Sequence, residues 1–329
     1  MDALFGDYDR ADVPGASVIV IRDGKVLFKK AYGSANLEEK IPAATDTNYR
    51  IASLTKQFTA MAIMILAERG KLSYDDALTR FFPDFPAYGQ SIQLRHLLNH
   101  TSGLIAYEDI IPKGRVTALR DEDVLALLQT QDHTYFAPGS KYRYSNSGYA
   151  LLGLVVERAS GMPFKKFLEE NIFDPLGMRG TRFYDRNGPA ERRQANGYTQ
   201  QADKSFARTD QSLTSSILGD GSIYTSVDDL YRWDQALYTT QLVSAETLKR
   251  AFTPGAYSAE RKAGYGFGWF VTDFKGLETL WHGGQTIGFH AAIKRIPKRH
   301  FTVIVLTNRS GDDRELFAII DRIADLYLN

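Results

Sequence analysis

The sequence predicts an α+β protein in which one antiparallel sheet, built from both chain termini, is flanked by helices and joined to a mainly helical second lobe. Two observations lead to this fold class. Runs rich in β-branched residues occur near the start of the chain and in its last quarter, whereas the middle has helical periodicity interrupted by Gly and Pro. Strands at both ends that enclose a helical middle are expected to pair in a single sheet.

The first elements can be assigned from local signals. Residues Ala16–Arg22 and Lys25–Phe28 are rich in β-branched and apolar side chains, and Asp23-Gly24 between them indicates a β-hairpin. Helical spacing then runs from Ser53 to Arg69, and Gly70 stands where a helix often ends. A further helix is expected to begin at Ser73, with that serine as its N-cap.

The remaining elements follow from periodicity. Helices are predicted over 121–131, 147–160, 164–172, 227–237 and 245–252. Strands are predicted over 265–272, 277–282, 289–295 and 301–307, followed by a terminal helix over about 314–328. We therefore expect a single unit over 1–329, with a sheet lobe of about 1–70 and 250–329, a helical lobe of about 71–249 and a cleft between them.

Composition excludes several classes of function. The chain has 329 residues, of which 43% are hydrophobic, and its 40 Lys and Arg nearly balance 39 Asp and Glu to give a net charge of +1. This balance argues against a nucleic-acid partner, and the basic stretch 294–300 is interpreted as a solvated turn. The chain has no cysteine, so disulfides, thiolate nucleophiles and iron–sulfur clusters are excluded, and no cofactor is predicted.

The sequence shows no transmembrane segment, and the compartment stays open. The longest apolar run, residues 60–67, is far shorter than the roughly 20 residues that cross a bilayer. The first residues lack the basic and apolar parts of a signal peptide. We expect a cytoplasmic protein, or an exported one whose signal has been removed. The oligomeric state is not predicted.

The first candidate for chemistry is Ser53-Leu54-Thr55-Lys56 at the start of the long helix. Residues three apart share a helix face, so the Ser53 hydroxyl and the Lys56 amine point into the same space. The helix N-terminus and burial would both lower the pKa of the lysine, towards that of a general base. The alternative is a helix start with no catalytic role, because the pattern is short and common.

Two further segments carry polar groups. Tyr144 and Asn146 precede a predicted helix, where a tyrosine could relay a proton and an amide could bind a carbonyl. The alternative is a turn asparagine beside a packing tyrosine. His282, Gly283, Gly284 and Gln285 lie at a predicted strand end, where glycines let a substrate approach the strand edge. The alternative there is a tight hairpin turn with a surface histidine.

Other routes to catalysis have less support. His96 and His100 have the i, i+4 spacing of metal ligands, but the glutamate of the zinc-protease motif and a third ligand are missing, so a structural helix end is favoured and no metal is predicted. The chain also has no Gly-x-Ser-x-Gly motif and no glycine-rich phosphate loop.

In their order and spacing, these segments resemble one family. Ser-x-x-Lys, then Tyr-x-Asn about ninety residues later, then His-Gly-Gly near the end are similar to the serine β-lactamase and penicillin-binding-protein superfamily. The branch is that of class C β-lactamases, D-Ala-D-Ala carboxypeptidases, D-amino-acid peptidases and related esterases. The resemblance covers nearly the whole chain and includes the segments 14–18, 97–103 and 138–149.

The resemblance implies a role for each residue. Ser53 would be the nucleophile, Lys56 the base and Tyr144 the proton relay, and the order in which Lys56 and Tyr144 take the first proton is left open. Asn146, with His282, Gly283 and Gly284, would bind substrate. The backbone N–H groups of Ser53 and Gln285 would form the oxyanion hole.

The third motif departs from the pattern of the β-lactamases, which usually have Lys-Thr-Gly where this chain has His282-Gly283-Gly284. Histidine is only partly charged at neutral pH, and glycine has no hydroxyl to bind a substrate carboxylate. We therefore expect an esterase, or an amidase or peptidase for D-amino-acid-type substrates, with weak or no β-lactamase activity. The alternatives are a class C-like β-lactamase or penicillin-binding carboxypeptidase, and a non-catalytic binding or scaffold protein.

Overall fold

The structure, a computed structural model, describes residues 1–184 and 193–328. Its strands are β1 (Ala16–Arg22), β2 (Lys25–Tyr32), β3 (Ser34–Asn36), β4 (Ile41–Pro42), β5 (Tyr49–Arg50), β6 (Arg182–Phe183), β7 (Tyr198–Gln200), β8 (Phe206–Arg208), β9 (Ile223–Thr225), β10 (Ala256–Ser258), β11 (Ala263–Tyr265), β12 (Phe270–Phe274), β13 (Leu277–Thr286), β14 (Phe289–Ile296) and β15 (Phe301–Thr307). Its α-helices are α1 (Thr55–Glu68), α2 (Leu78–Phe81), α3 (Leu94–Leu98), α4 (Asp121–Gln129), α5 (Asn146–Ser160), α6 (Phe164–Leu168), α7 (Asp174–Leu176), α8 (Leu218–Gly221), α9 (Val227–Ala236), α10 (Ala245–Phe252) and α11 (Asp313–Leu328). Short 3-10 helices span Asp2–Tyr8, Ala52–Leu54, Ala87–Ser91, Tyr107–Ile110 and Pro297–Arg299, and a π-helical turn spans Glu169–Phe173.

Both ends of the chain contribute to one eight-stranded sheet, in the order β10-β11-β12-β13-β14-β15-β1-β2. Strand β1 pairs antiparallel with β15, so that Ala16 lies opposite Thr307 and Arg22 opposite Phe301. The predicted hairpin is also present, and Asp23 and Gly24 both have the positive φ that tight hairpin turns require. The predicted fold class is therefore confirmed, whereas the division into two lobes stays a prediction.

Helices cover both faces of this sheet. Side chains alternate between the faces of a strand, so Ile19 and Ile21 of β1 enter the core shared with α1, while Val18 and Val20 enter the core shared with α11. Because β1 and β15 are buried on both faces, their sequences are almost continuously apolar. No helix in the described part of the chain combines the length and the apolar character that crossing a membrane requires.

The helix predicted to begin at Ser73 is wrong. Residues 73–76 form a turn, in which the Asp76 carboxylate accepts the Ser73 backbone N–H at 2.6 Å, and α2 begins only at Leu78. The Ser-x-x-Asp pattern that resembles a helix start closes this turn instead, because short polar side chains bond to nearby backbone as readily in turns as in helices.

The strand predicted over 265–272 is wrong in its middle, because two glycines divide it into β11 and β12. Gly268 has φ +79°, and a Cβ at this position would lie 3.0 Å from the Lys56 carbonyl oxygen. A Cβ at Gly266 would lie 2.0 Å from the Ala251 carbonyl oxygen. The chain leaves the sheet here in order to pass close to α1 and α10.

The basic stretch 294–300 is only partly a solvated turn. Lys294 and Arg295 lie in β14 and are 6% and 0% exposed, and only the following 3-10 turn, Pro297–Arg299, joins β14 to β15. Arg295 Nε donates to Asp234 Oδ1 of α9 at 2.6 Å, and Thr302 Oγ1 donates to the same oxygen at 2.8 Å. The guanidinium also lies 4.6 Å from the Tyr238 ring. This buried pair joins α9 to the sheet.

We expect Asp234→Ala to lower the free energy of unfolding by about 3–5 kcal/mol, because it leaves the Arg295 guanidinium buried without its counter-charge. The control is Asp325→Ala, which removes the exposed Lys275–Asp325 pair and should cost about 1 kcal/mol or less. Urea unfolding monitored by circular dichroism measures both. Equal losses for the two variants would contradict a structural role of the buried pair.

Candidate active site

Ser53 lies in the 3-10 turn Ala52–Leu54, immediately before α1, rather than inside the helix as predicted. The preceding residue, Ala52, has φ +46°, a left-handed conformation that costs a residue with a Cβ on the order of 1–3 kcal/mol. The turn is held against the sheet, because a Cβ at Gly284 of β13 would lie only 2.1 Å from the Ile51 carbonyl oxygen. Ser53 is therefore presented at the junction between the sheet and α1.

Lys56, in the first turn of α1, is fully buried. Its Nζ lies 3.2 Å from Ser53 Oγ, 2.8 Å from Asn146 Oδ1 and 2.9 Å from the Asp220 carbonyl oxygen. Nζ also lies 5.0 Å from the centre of the Tyr144 ring. The amine is therefore the point at which Ser53, Asn146 and Asp220 meet.

Burial lowers the pKa of Lys56 to about 8, because the charged form loses its hydration. The carboxylates of Asp220 and Glu108 act in the opposite direction and favour the ammonium. The pKa of Asp220 is itself raised to about 6, chiefly by its burial. A substantial fraction of Lys56 is therefore neutral at mildly alkaline pH.

Asn146 is the first residue of α5, and the Ser145 hydroxyl caps this helix by accepting the Gly148 N–H at 3.1 Å. The Asn146 side chain connects two charged groups. Its Oδ1 accepts from Lys56, and its Nδ2 donates to Glu108 Oε1 at 2.8 Å. Glu108 is exposed and lies on the 3-10 turn Tyr107–Ile110, so a carboxylate stands beside the Lys56–Asn146 pair.

Tyr144 is partly buried and rests on the imidazole of His100, with ring centres 4.2 Å apart. His100 Nδ1 accepts the Ser145 N–H at 3.1 Å, which places the turn that contains Tyr144 and Asn146. Burial, and then the charge of Lys56, lower the pKa of His100 well below its usual range, so this imidazole is neutral. The His100 imidazole therefore packs against the Tyr144 ring and positions it.

His282 lies within β13 and is 1% exposed, so the alternative of a hairpin turn with a surface histidine is wrong. Its Nδ1 donates to the Gly283 carbonyl oxygen at 2.6 Å, and its Nε2 lies 3.1 Å from the Tyr265 hydroxyl. The imidazole also packs 6.2 Å from the Tyr144 ring. The His282 side chain therefore lies in an aromatic cluster rather than at the protein surface.

The second half of β13 leaves one strand edge open. Among the described strands, β12 pairs with β13 only as far as Trp281, so the backbone from His282 onwards has no strand partner on that side. The side chain of Gln285 faces away from α1, and its Nε2 donates to the Gly311 carbonyl oxygen at 2.5 Å. Only the backbone of Gln285 therefore faces the edge near Ser53.

Asp220 is a component of the site that the sequence analysis missed. Its carbonyl oxygen accepts from Lys56, and its carboxylate accepts the Tyr107 hydroxyl at 3.2 Å. The turn that holds it, α8, is anchored where the Leu218 and Gly219 N–H groups donate to the Asp121 carboxylate at 2.7 and 3.0 Å. The sequence signal that could have indicated Asp220 is the pair of glycines around it, in Gly219-Asp220-Gly221. Glycine is required at 219 because a Cβ there would lie 2.2 Å from the Tyr149 carbonyl oxygen.

The histidine pair considered for metal binding has two separate structural roles. His96 Nδ1 accepts the Gln93 N–H at the start of α3, whereas His100 Nδ1 accepts from Ser145. Within residues 1–184 and 193–328, no group of three or more His, Asp or Glu side chains is arranged to hold a metal ion.

An antiparallel sheet flanked by helices, with Ser-x-x-Lys at the start of the central helix, is the arrangement of serine hydrolases with the β-lactamase fold. The sequence model of one family, described as Beta-lactamase, matches residues 1–328. The chain belongs to the Beta-lactamase family, which confirms the resemblance found in the motifs.

Individual relatives agree with this assignment. Penicillin-binding protein 4* of Bacillus subtilis is 34% identical over 324 residues, and the match covers 92% of this chain and 70% of that protein. Protein flp of Staphylococcus aureus is 29% identical over 319 residues, and the match covers 93% of this chain and 62% of that protein. The chain therefore spans about two thirds of the length of these relatives.

Solved structures share the fold. An octameric penicillin-binding protein homologue from Pyrococcus abyssi superimposes with a TM-score of 0.86 at 28% identity, covering 99% of this chain and 75% of that chain. A D-amino acid amidase from Ochrobactrum anthropi SV3 superimposes with a TM-score of 0.84 at 24% identity, covering 100% and 99% of the two chains. At that identity the amidase likeness shows the fold alone.

We expect Asp220→Asn to lower the pKa of Lys56 below about 8, because the variant removes the largest of the charges that favour the ammonium. NMR titration of protein labelled with ¹³C at lysine Cε measures this pKa. The control is Asp109→Asn, an exposed carboxylate next to Glu108, which should leave it unchanged. An unchanged or raised pKa in Asp220→Asn would contradict the electrostatic coupling.

The same lowered pKa has a consequence for stability. An unfolded lysine titrates near pH 10.4, so between about pH 8 and 10.4 the unfolded chain binds more protons at Lys56 than the folded chain does. The protein therefore becomes more stable as the pH rises through this interval. Below about pH 8 the folded protein carries the full energetic cost of burying the Lys56 ammonium.

Proposed function

We propose that the protein is a serine hydrolase that cleaves an ester or amide bond through an acyl-enzyme on Ser53. The observation that supports this most directly is the fully buried Lys56 amine, 3.2 Å from Ser53 Oγ, with a pKa lowered to about 8. A neutral amine at this distance can take the hydroxyl proton as the oxygen attacks a carbonyl carbon. A binding or scaffold protein has no need of a desolvated lysine beside a serine.

Acylation forms a bond between Ser53 Oγ and the substrate carbonyl carbon and breaks the bond to the leaving alcohol or amine. The 3.2 Å contact favours Lys56 as the first proton acceptor. Tyr144, whose ring lies next to the Lys56 amine, gives its hydroxyl proton to the leaving group and takes the serine proton in turn from the Lys56 ammonium. Water then hydrolyses the acyl-enzyme, and the same groups act in the reverse order.

The negative charge that develops on the carbonyl oxygen would be stabilised by the backbone N–H groups of Ser53 and Gln285. The close approach of Gly284 to Ile51 supports this assignment, because it holds β13 against the turn that contains Ser53. The open edge of β13 beyond Trp281 leaves those backbone groups that do not face β14 available to a bound substrate. His282 would contribute by supporting Tyr144 and the Gly283 carbonyl, since its ring is buried.

The charges around Ser53 favour a substrate with an amino group rather than a carboxylate. The position that a lysine would occupy in the third motif is His282, which is buried and points into the aromatic cluster. Glu108 instead places a carboxylate beside Asn146, and its second oxygen has no partner among the described residues. We therefore propose esters or amides of amino acids, of the D-type that the family resemblance implies, with weak or no hydrolysis of β-lactams.

A second candidate function is that of a penicillin-binding acceptor, which is acylated but releases the acyl group too slowly to turn over. The observation that favours it is the 34% identity to a protein named penicillin-binding protein 4*. The two candidates share the step on Ser53 and differ in the acyl donor and in deacylation.

We expect Ser53→Ala to lower kcat by about 10⁴–10⁶, as the loss of catalytic serines does in other hydrolases, and to abolish covalent labelling. Release of p-nitrophenol from a short-chain ester measures turnover, and intact-protein mass spectrometry after brief exposure to the ester or to a penicillin measures the adduct. The control is Ser91→Ala, at an exposed serine outside the site. Wild-type turnover in Ser53→Ala would refute the proposal, and a persistent penicillin adduct without turnover would establish the acceptor.

We expect Glu108→Gln to raise KM about tenfold for D-phenylalanine amide at pH 7, because one charge-assisted contact to the substrate ammonium is lost. The N-acetylated amide carries no ammonium, so its KM should not change. Asp109→Asn is the matched control, since it removes the neighbouring exposed carboxylate. Equal effects of Glu108→Gln on both substrates would show that Glu108 acts only through Asn146.

A further inference from the structure

A cavity of about 340 Å³ lies outside the site described above, between α3, α10 and the segment that enters β12. Ser53, Lys56 and Tyr144 are not among the residues that line it. Cavities of this size accommodate small organic molecules. Its walls include Tyr74, Arg95, Asn99, Lys249, Arg250 and Phe267.

One wall of the cavity is aromatic. The rings of Tyr74 and Phe267 are in contact, with centres 5.4 Å apart, and Pro254 extends the apolar surface beside them. Burial raises the pKa of Tyr74 to about 12, so its hydroxyl remains neutral. An aromatic ring packs well on such a surface.

The charge of the lining is positive. Arg95, Lys249 and Arg250 face a single lining carboxylate, Glu246. Glu246 pairs with Arg250 at 3.2 Å, and Arg95 pairs with Asp75. Lys249 forms no ion pair among the described residues, so the cavity has a cation available for an anionic ligand.

The wall also holds a hydrogen-bond donor, the side-chain amide of Asn99. Asn99 is 8% exposed, and its Oδ1 accepts the Thr101 hydroxyl at 2.7 Å. Its Nδ2 has no hydrogen-bond partner within the described parts of the chain and lies against Gly255, where a Cβ would be only 2.4 Å away. The absence of a Cβ at Gly255 therefore lets the Asn99 amide pack directly against the backbone.

We propose that this cavity is a second binding site, for a small aromatic monocarboxylate. The ring of the ligand packs on Tyr74 and Phe267, and its carboxylate accepts from the Asn99 amide and from Lys249 or Arg250. Charge complementarity selects an acid over its neutral analogue.

Two residues that line the cavity, Asn99 and Phe267, are followed in the chain by residues that pack against the active site. Asn99 precedes His100, whose ring supports Tyr144 at 4.2 Å. Phe267 precedes Gly268, where a Cβ would lie 3.0 Å from the Lys56 carbonyl oxygen. We therefore expect a ligand bound between Asn99 and Phe267 to change kcat. This expected effect on kcat rests on the proposed hydrolase function. Binding of the ligand does not depend on that function.

Calorimetric titration with benzoate tests the binding, and Ser53→Ala is titrated beside the wild type. We expect one saturable site in both, with Kd on the order of 1 mM. The double variant K249A/R250A should bind about tenfold more weakly, and benzamide should bind more weakly than benzoate to the wild type. The control K298A/R299A removes two exposed cations from another turn and should bind as the wild type does.

Absence of saturable binding, equal affinity in K249A/R250A and the wild type, or equal affinity for benzamide and benzoate would each overturn the site.

In the ester assay, we expect saturating benzoate to change kcat at least twofold with KM unchanged, and K249A/R250A to need about tenfold more benzoate. A rise in KM alone would place benzoate at Ser53 instead. An unchanged kcat at saturation would refute the coupling, and the titration remains a test of the site even if Ser53 supports no turnover.

Discussion

The buried amine of Lys56 is the constraint on which the rest of the site depends. A lysine ammonium without water is stable only where oxygen atoms surround it, and here these come from three segments far apart in the chain. Ser53 precedes α1, Asn146 begins α5, and Asp220 lies in α8. The need to provide these acceptors brings the three segments together, and the same burial lowers the pKa of the amine into a range where it can act as a base.

Glycine makes this convergence possible at two points. A side chain at Gly219 would collide with the backbone of α5 at Tyr149, and one at Gly284 would collide with the backbone at Ile51. The first contact lets α8 reach Lys56, and the second holds β13 against the turn that contains Ser53. The sheet provides the rigid frame, because β13 pairs with β14 from Leu280 to Thr286, β14 pairs with β15, and β15 pairs with β1.

The surroundings of the serine and lysine differ from those expected for recognition of a carboxylate. His282 faces the aromatic cluster beneath Tyr144, while Glu108 contributes an exposed carboxylate next to Asn146. A fold can retain one catalytic pair and change its substrate through the charges placed around that pair. This is why we favour a substrate with an amino group, although the family includes proteins named for penicillin binding.

The sequence alone determined the fold class, the hairpin at Asp23-Gly24, most helices and the family, because these depend on local periodicity, turn residues and motif order. It also indicated Ser53, Lys56 and Asn146, since motif spacing is a property of the chain itself. Only the tertiary structure decided that Arg295 is buried against Asp234, that His282 lies inside the aromatic cluster, and that Asp220 and Glu108 belong to the site. The sequence could not show these features because the exposure of a charged residue and the partners of a carboxylate depend on segments that are distant in the chain. Strands of two or three residues, such as β5 and β9, are also too short to show the alternation of apolar and polar residues that predicts a strand.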